Sequence, residues 1–73
     1  MNVLIIGGSK GIGLETTRQA LDAGHHVRAL ARSAPAITIS SPNLEKVRGD
    51  ALKIEDVSAA LVGSDVVVQT LGV

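Results

Sequence analysis

The chain has 73 residues with seven basic and seven acidic side chains, so it has no net charge to recruit it to nucleic acid or to an anionic membrane. It lacks Cys, which excludes a disulfide framework and a thiolate metal site, and it lacks Phe, Trp and Tyr, which leaves an aliphatic core. No apolar stretch approaches the ~20 residues that span a bilayer and no basic segment precedes a signal-like core, which predicts a soluble, cytoplasmic protein.

The near-continuous aliphatic run from Asn2 to Ile6 predicts a parallel strand covered on both faces. Directly after it comes Gly7-Gly8-Ser9-Lys10-Gly11-Ile12-Gly13, opening a helix expected over residues 11–23 with Leu14, Thr17 and Leu21 on one stripe and Gly24 just past its end. A strand, a glycine-rich turn and a helix bring an anion onto unpaired N–H groups at the positive end of a helix dipole. The three spaced glycines have separate roles: Gly7 turns the chain, Gly11 admits phosphate to the backbone, and Gly13 lets the helix pack on the strand. A nucleoside-triphosphatase loop ends Gly-Lys-Ser/Thr, whereas here the order is Ser9-Lys10-Gly11. The strict Gly-x-Gly-x-x-Gly spacing fails too, because Thr16 stands in its third glycine position. What remains is Gly-x-x-x-Gly-x-Gly, a dinucleotide-binding turn whose candidate contacts are Gly7, Ser9, Lys10, Gly11, Ile12 and Gly13; a tight turn without a ligand is the alternative.

His26–Ala31 reads as a second strand, with Val27 and Leu30 its largest apolar members. Residues 33–43, with Pro35, Pro42 and several Ser, predict an irregular crossover, and Leu44–Val47 a short third strand followed by Gly49 and Asp50. A second helix is expected from about Ile54 to Val62, ending at Gly63, with Ile54, Val57, Leu61 and Ala60 as its buried stripe. Lys53 is a poor N-cap for it, while Glu55 and Asp56 in the first turn suit the dipole. Asp65–Thr70 is the fourth strand. Alternating strands and helices at this spacing give βαβ units, a parallel sheet and right-handed crossovers. His25 and His26 have no ligand-spaced partners and read as a surface turn rather than a metal or acid–base site.

The glycine spacing resembles the short-chain dehydrogenase/reductase superfamily, whose turn reads Thr-Gly-x-x-x-Gly-x-Gly, with Ile6 here in the Thr position. Val27-Arg28-Ala29-Leu30-Ala31-Arg32, Gly49-Asp50 and the stretch from Leu61 to Val67 extend the likeness to its atypical group: flavin/biliverdin reductase-like, NmrA-like and epimerase-like proteins. The resemblance implies an α/β fold with a Rossmann-type parallel sheet in the order 3-2-1-4 and flanking helices, the N-terminal half of a doubly wound fold. Residues 1–73 are then a truncated NAD(P)-binding half-domain without the substrate-binding and catalytic part. It further implies that Asp50 accepts from the adenine amino group while the Ala51 N–H donates to the ring. Leu71 and Gly72 begin the loop beneath the adenosine and nicotinamide ribose. For Asp50, a turn residue binding its own backbone is the alternative.

In such folds an acid about 20 residues after the glycine turn accepts from the NAD ribose, whereas arginine suits the 2′-phosphate of NADP. Here Ala31-Arg32-Ser33 stands at that place. Arg32 offers a permanently charged planar fork, Ser33 a hydroxyl, and Lys10 lies where NADP-preferring relatives often carry a second cation. NADP(H) is therefore expected over NAD(H), unless both cations are ordinary solvated ones. The expected function is cofactor binding in an oxidoreductase that passes hydride between nicotinamide and a small-molecule acceptor. The alternative is an NmrA-like dinucleotide-sensing regulator, and a third possibility is a remnant that binds nothing well. The superfamily's usual Tyr acid is absent, so the chain by itself is expected to be inactive, and no catalytic residue or metal ligand is assigned. With order 3-2-1-4 the two helices cover opposite faces incompletely, and Val66-Val67-Val68 forms an unprotected edge, which predicts a homo-oligomer.

Overall fold

The computed structural model describes residues 1–7 and 11–70. The aliphatic run of strand β1 (Asn2–Ile6) is buried from Val3 onward, and Leu4 and Ile5 are fully enclosed. Their alternation sends Val3 and Ile5 to one face and Leu4 and Ile6 to the other, so both faces need cover. Helix α1 (Gly11–Asp22) supplies one, with Ala20 and Leu21 packing on Val3, Ile5 and Val27. Helix α2 (Ile54–Leu61) supplies the other, with Val57 and Ala60 packing on Leu4, Ile6 and Leu30. Fully burying each such aliphatic side chain stabilises the fold by roughly 1.5–3 kcal/mol.

Strands β2 (His26–Ala31), β3 (Leu44–Arg48) and β4 (Val66–Gln69) complete a four-stranded sheet in the order β3-β2-β1-β4, every pair parallel. The register sets Ile6 beside Leu30 and Gln69, and Leu30 beside Val47, so the four carboxyl ends form one row. This is the Rossmann-type arrangement that the family resemblance implied.

Two details depart from the pattern read in the sequence. The stripe of α2 is narrower than Ile54, Val57, Ala60 and Leu61. Ala60 is buried and Val57 half-buried, while Ile54 and Leu61 are exposed. The helix is rotated so that the small Ala60 sits closest to the sheet, leaving Ile54 and Leu61 at its flanks. The crossover after β2 is irregular as expected, but a short 3-10 turn at Ala34–Ala36 interrupts it, with Pro35 fitting the first turn. Ala34 and Ile37 bury against Ala29 and anchor the crossover on the α1 face.

Candidate functional site

Gly7 ends β1 with φ +87°, a left-handed conformation that disfavours any residue with a Cβ. Its N–H donates to the Leu30 carbonyl at 2.8 Å, tying the turn to the end of β2. Thr70, just after β4, donates from both its N–H (3.0 Å) and its hydroxyl (2.8 Å) to the Ile6 carbonyl. Helix α1 approaches this junction through Gly13, where a Cβ would overlap the Gly7 carbonyl and lie 2.6 Å from Thr70 Oγ1. Only glycine permits that approach. Gly11, by contrast, faces open space, since a Cβ there would meet nothing within 4 Å. The first turn of α1 contains no acid, so the positive end of its dipole is not offset from within. Ile12 is 79% exposed beside it.

Arg32 follows β2 on the same edge. It is exposed and has no hydrogen bond or carboxylate partner among the described residues. Ser33, next to it, is also exposed. The Gly49 N–H donates to the Ala31 carbonyl at 3.1 Å, which draws the turn after β3 alongside Arg32. In that turn Asp50 Oδ1 accepts the Leu52 N–H at 2.9 Å, a side-chain turn closing on its own backbone. Asp50 Oδ2 and the Ala51 N–H have no partner among the described residues. They leave one acceptor and one donor of this turn unpaired there.

The edge thus brings together Gly7, Gly11, Ile12, Gly13, Arg32, Ser33, Asp50 and Ala51. Ser9, Lys10, Leu71 and Gly72 lie outside the described residues. His25 and His26 sit at the opposite, amino end of the sheet, where His25 Nδ1 is 3.3 Å from the Met1 amino group. Among the described residues no three His, Asp or Glu side chains converge on a metal position. An open hollow of about 330 Å3 at that amino end is lined by Asn2, His26, Arg28, Asn43 and Ser64. Two residues of the edge were not singled out in the sequence. Thr70 carried no signal beyond its place at a strand end, and Asp56 was visible only as a dipole-compensating acid.

The four-stranded parallel sheet in the order β3-β2-β1-β4, with a helix on each face, is the fold of a nucleotide-binding α/β unit, and comparison with known proteins agrees on that fold and family. An NAD(P)H-binding family model matches residues 7–73, and the chain belongs to that family. A 3-beta-hydroxysteroid dehydrogenase of Mycolicibacterium neoaurum is 35% identical over 71 residues, 97% of this chain and 19% of that protein. The photosystem II assembly factor Ycf39 of Synechocystis is 38% identical over 69 residues, 93% of this chain and 21% of that protein. The chain therefore spans about a fifth of the length of these curated relatives. A Rossmann-fold NAD(P)-binding family protein from Shigella flexneri superposes with a TM-score of 0.85 at 28% identity, over 99% of this chain and 38% of that one. A protein of known structure from Bacteroides thetaiotaomicron superposes at 0.89 with 25% identity, over 97% of this chain and 33% of that one. The cofactor class is a nicotinamide dinucleotide. Among the described residues, no helix is long and apolar enough to cross a membrane.

Proposed function

We propose that the carboxyl edge of the sheet binds NADP(H) in preference to NAD(H), as the nucleotide-binding part of an oxidoreductase acting on a small molecule. The observation that carries the cofactor choice is Arg32: an exposed guanidinium at the end of β2, with no carboxylate paired to it among the described residues. A guanidinium with no internal partner breaks no ion pair when it turns to a phosphate, and its fork matches the oxygens of one. Ser33 adds a hydroxyl beside it. Asp50 Oδ2 and the Ala51 N–H take the adenine edge, and the first turn of α1, opened by Gly11 and Gly13, takes the pyrophosphate. Ser9 and Lys10 in the glycine turn add polar and cationic contacts to the phosphates, and Leu71 and Gly72 underlie the ribose.

When bound, the cofactor supplies hydride at its nicotinamide ring. The residues of this chain orient it and hold its charge, and none of them is assigned the acid that would protonate an acceptor. The reading also extends to assembly. Strand β4 presents Val66 and Val67 at a sheet edge, and a second copy of the chain covers it as a homo-oligomer. Titration of the chain with NADPH and NADH, following cofactor fluorescence, tests the cofactor assignment. Tighter binding of NADPH is expected, and equal affinities reject the role given to Arg32.

A further inference from the structure

We propose that Asp56 is a positioning residue for adenine recognition, holding the turn after β3 so that Asp50 Oδ2 and the Ala51 N–H meet the base together. This rests on the reading of Asp50 and Ala51 as the adenine contacts.

Residue 50 is tied at three points. Its carboxylate Oδ1 accepts the Leu52 N–H at 2.9 Å, and its carbonyl accepts the Lys53 N–H at 3.0 Å. Both bonds lie within residues 50–53, so they shape the turn but move with it. The third tie is different. The Asp50 N–H donates to Asp56 Oδ2 at 2.8 Å, reaching across to α2. Helix α2 is in turn anchored on the core by Val57 and Ala60. Together with the Gly49 N–H bond to Ala31, this contact sets how the turn faces the edge of the sheet.

The fit around this turn is close. A Cβ on Gly49 would lie 2.7 Å from Leu30 Cδ1 and 3.3 Å from Asp56 Oδ2. Asp56 is half-buried, so its oxygen meets the Asp50 N–H partly sheltered from competing water. Ala51 keeps its own packing on the Leu4, Ile6, Leu30 and Ala60 cluster, so loss of that acceptor tilts residue 50 without releasing the turn, and the Asp50 carboxylate and the Ala51 N–H then no longer register with the base together.

The test uses NADPH and its hypoxanthine analogue, in which a ring carbonyl replaces the adenine amino group. A site that pairs with the amino group rejects the analogue, and the wild-type chain is expected to favour NADPH by about tenfold or more. Asp56→Ala should lower that ratio by about fivefold or more, whereas Asp56→Asn, which keeps a carbonyl oxygen in place, should retain it within about twofold. A merely structural role would weaken both ligands equally and leave the ratio unchanged. Asp50→Ala serves as the control for the underlying reading. If Asp50→Ala abolishes discrimination while Asp56→Ala keeps the wild-type ratio, the positioning role is overturned and the adenine contact stands. If the wild-type chain or Asp50→Ala shows that discrimination never depended on Asp50, the adenine reading falls, and the proposal with it. Should circular dichroism show that Asp56→Ala is unfolded, Asp56→Ser carries the same comparison, because its shorter hydroxyl does not reach the Asp50 N–H.

Discussion

Arg32 and Gly13 show how single side chains, or their absence, shape the edge where the cofactor is proposed to sit. For Arg32 the expected outcome is specific. Arg32→Ala should weaken NADPH binding by about one to two decades and leave NADH nearly unchanged, because a charge-assisted contact of this kind is worth roughly 1.5–3 kcal/mol. Cofactor fluorescence reads this cleanly in a chain without Trp or Tyr. Gly13 makes a prediction whose sign is informative. Alanine is the better helix former by about 1 kcal/mol, so Gly13→Ala would stabilise α1 if space allowed. The new Cβ would instead overlap the Gly7 carbonyl and crowd Thr70 Oγ1. Destabilisation by about 1–3 kcal/mol is expected in urea unfolding followed by circular dichroism. A Gly13→Ala chain as stable as the parent would mean that the helix need not approach the strand so closely.

At the scale of elements, α2 depends on its two ends as much as on its short buried face. At its C-terminus Arg28, reaching from β2, donates to the carbonyls of Ala60 (2.8 Å) and Val62 (2.7 Å) and pairs with Glu45 at 3.1 Å. A cation there satisfies carbonyls that the helix leaves open and opposes the negative end of its dipole. Arg28→Met, which keeps most of the apolar stem, should cost about 1–3 kcal/mol, whereas Glu45→Ala, at the more exposed end of the pair, should change stability by less than about 1 kcal/mol. Thermal melts of the two variants separate the capping role from the ion pair. The N-terminus is less well made. Lys53 has the extended backbone of an N-cap but no side-chain bond to the helix. Lys53→Ser should therefore stabilise the chain by about 0.5–1 kcal/mol, measurable in the same melts.

For the whole molecule, the two sheet edges differ in kind. Strand β3 carries Glu45, Lys46 and Arg48, charges that discourage pairing with another strand, whereas β4 reads Val66-Val67-Val68-Gln69. Val66 and Val67 are 36% and 45% exposed, an apolar surface on that edge. The chain is expected to self-associate at micromolar concentrations in sedimentation experiments, and Val67→Lys should dissociate it without unfolding it. A cooperatively folded wild-type monomer would show that this edge needs no cover. With no Tyr anywhere in the chain, the 73 residues alone should show no NADPH oxidation with quinones, flavins or aldehydes above a heat-treated control.

Much of this architecture is local in origin and legible in the sequence. The aliphatic runs of β1 and β2 and the glycine-bounded α1 carry their periodicity within a few residues, and their observed ends fall within a residue of those expected. The parallel sheet followed from the βαβ alternation, the strand order from the family resemblance, and the cofactor class from the glycine turn. What only the tertiary structure decided are contacts between segments far apart in the chain. Thr70 closes on the Ile6 carbonyl 64 residues away, and Arg28 reaches the end of α2 over 32 and 34 residues. The rotation of α2 that buries Ala60 instead of Ile54 and Leu61 belongs to the same class, because an eight-residue helix is oriented by the surface beneath it rather than by its own pattern. Asp56 sits between the two cases. Its acidity in the first turn was plain from its position, but its bond to the Asp50 N–H, six residues back, depends on how the chain turns between β3 and α2.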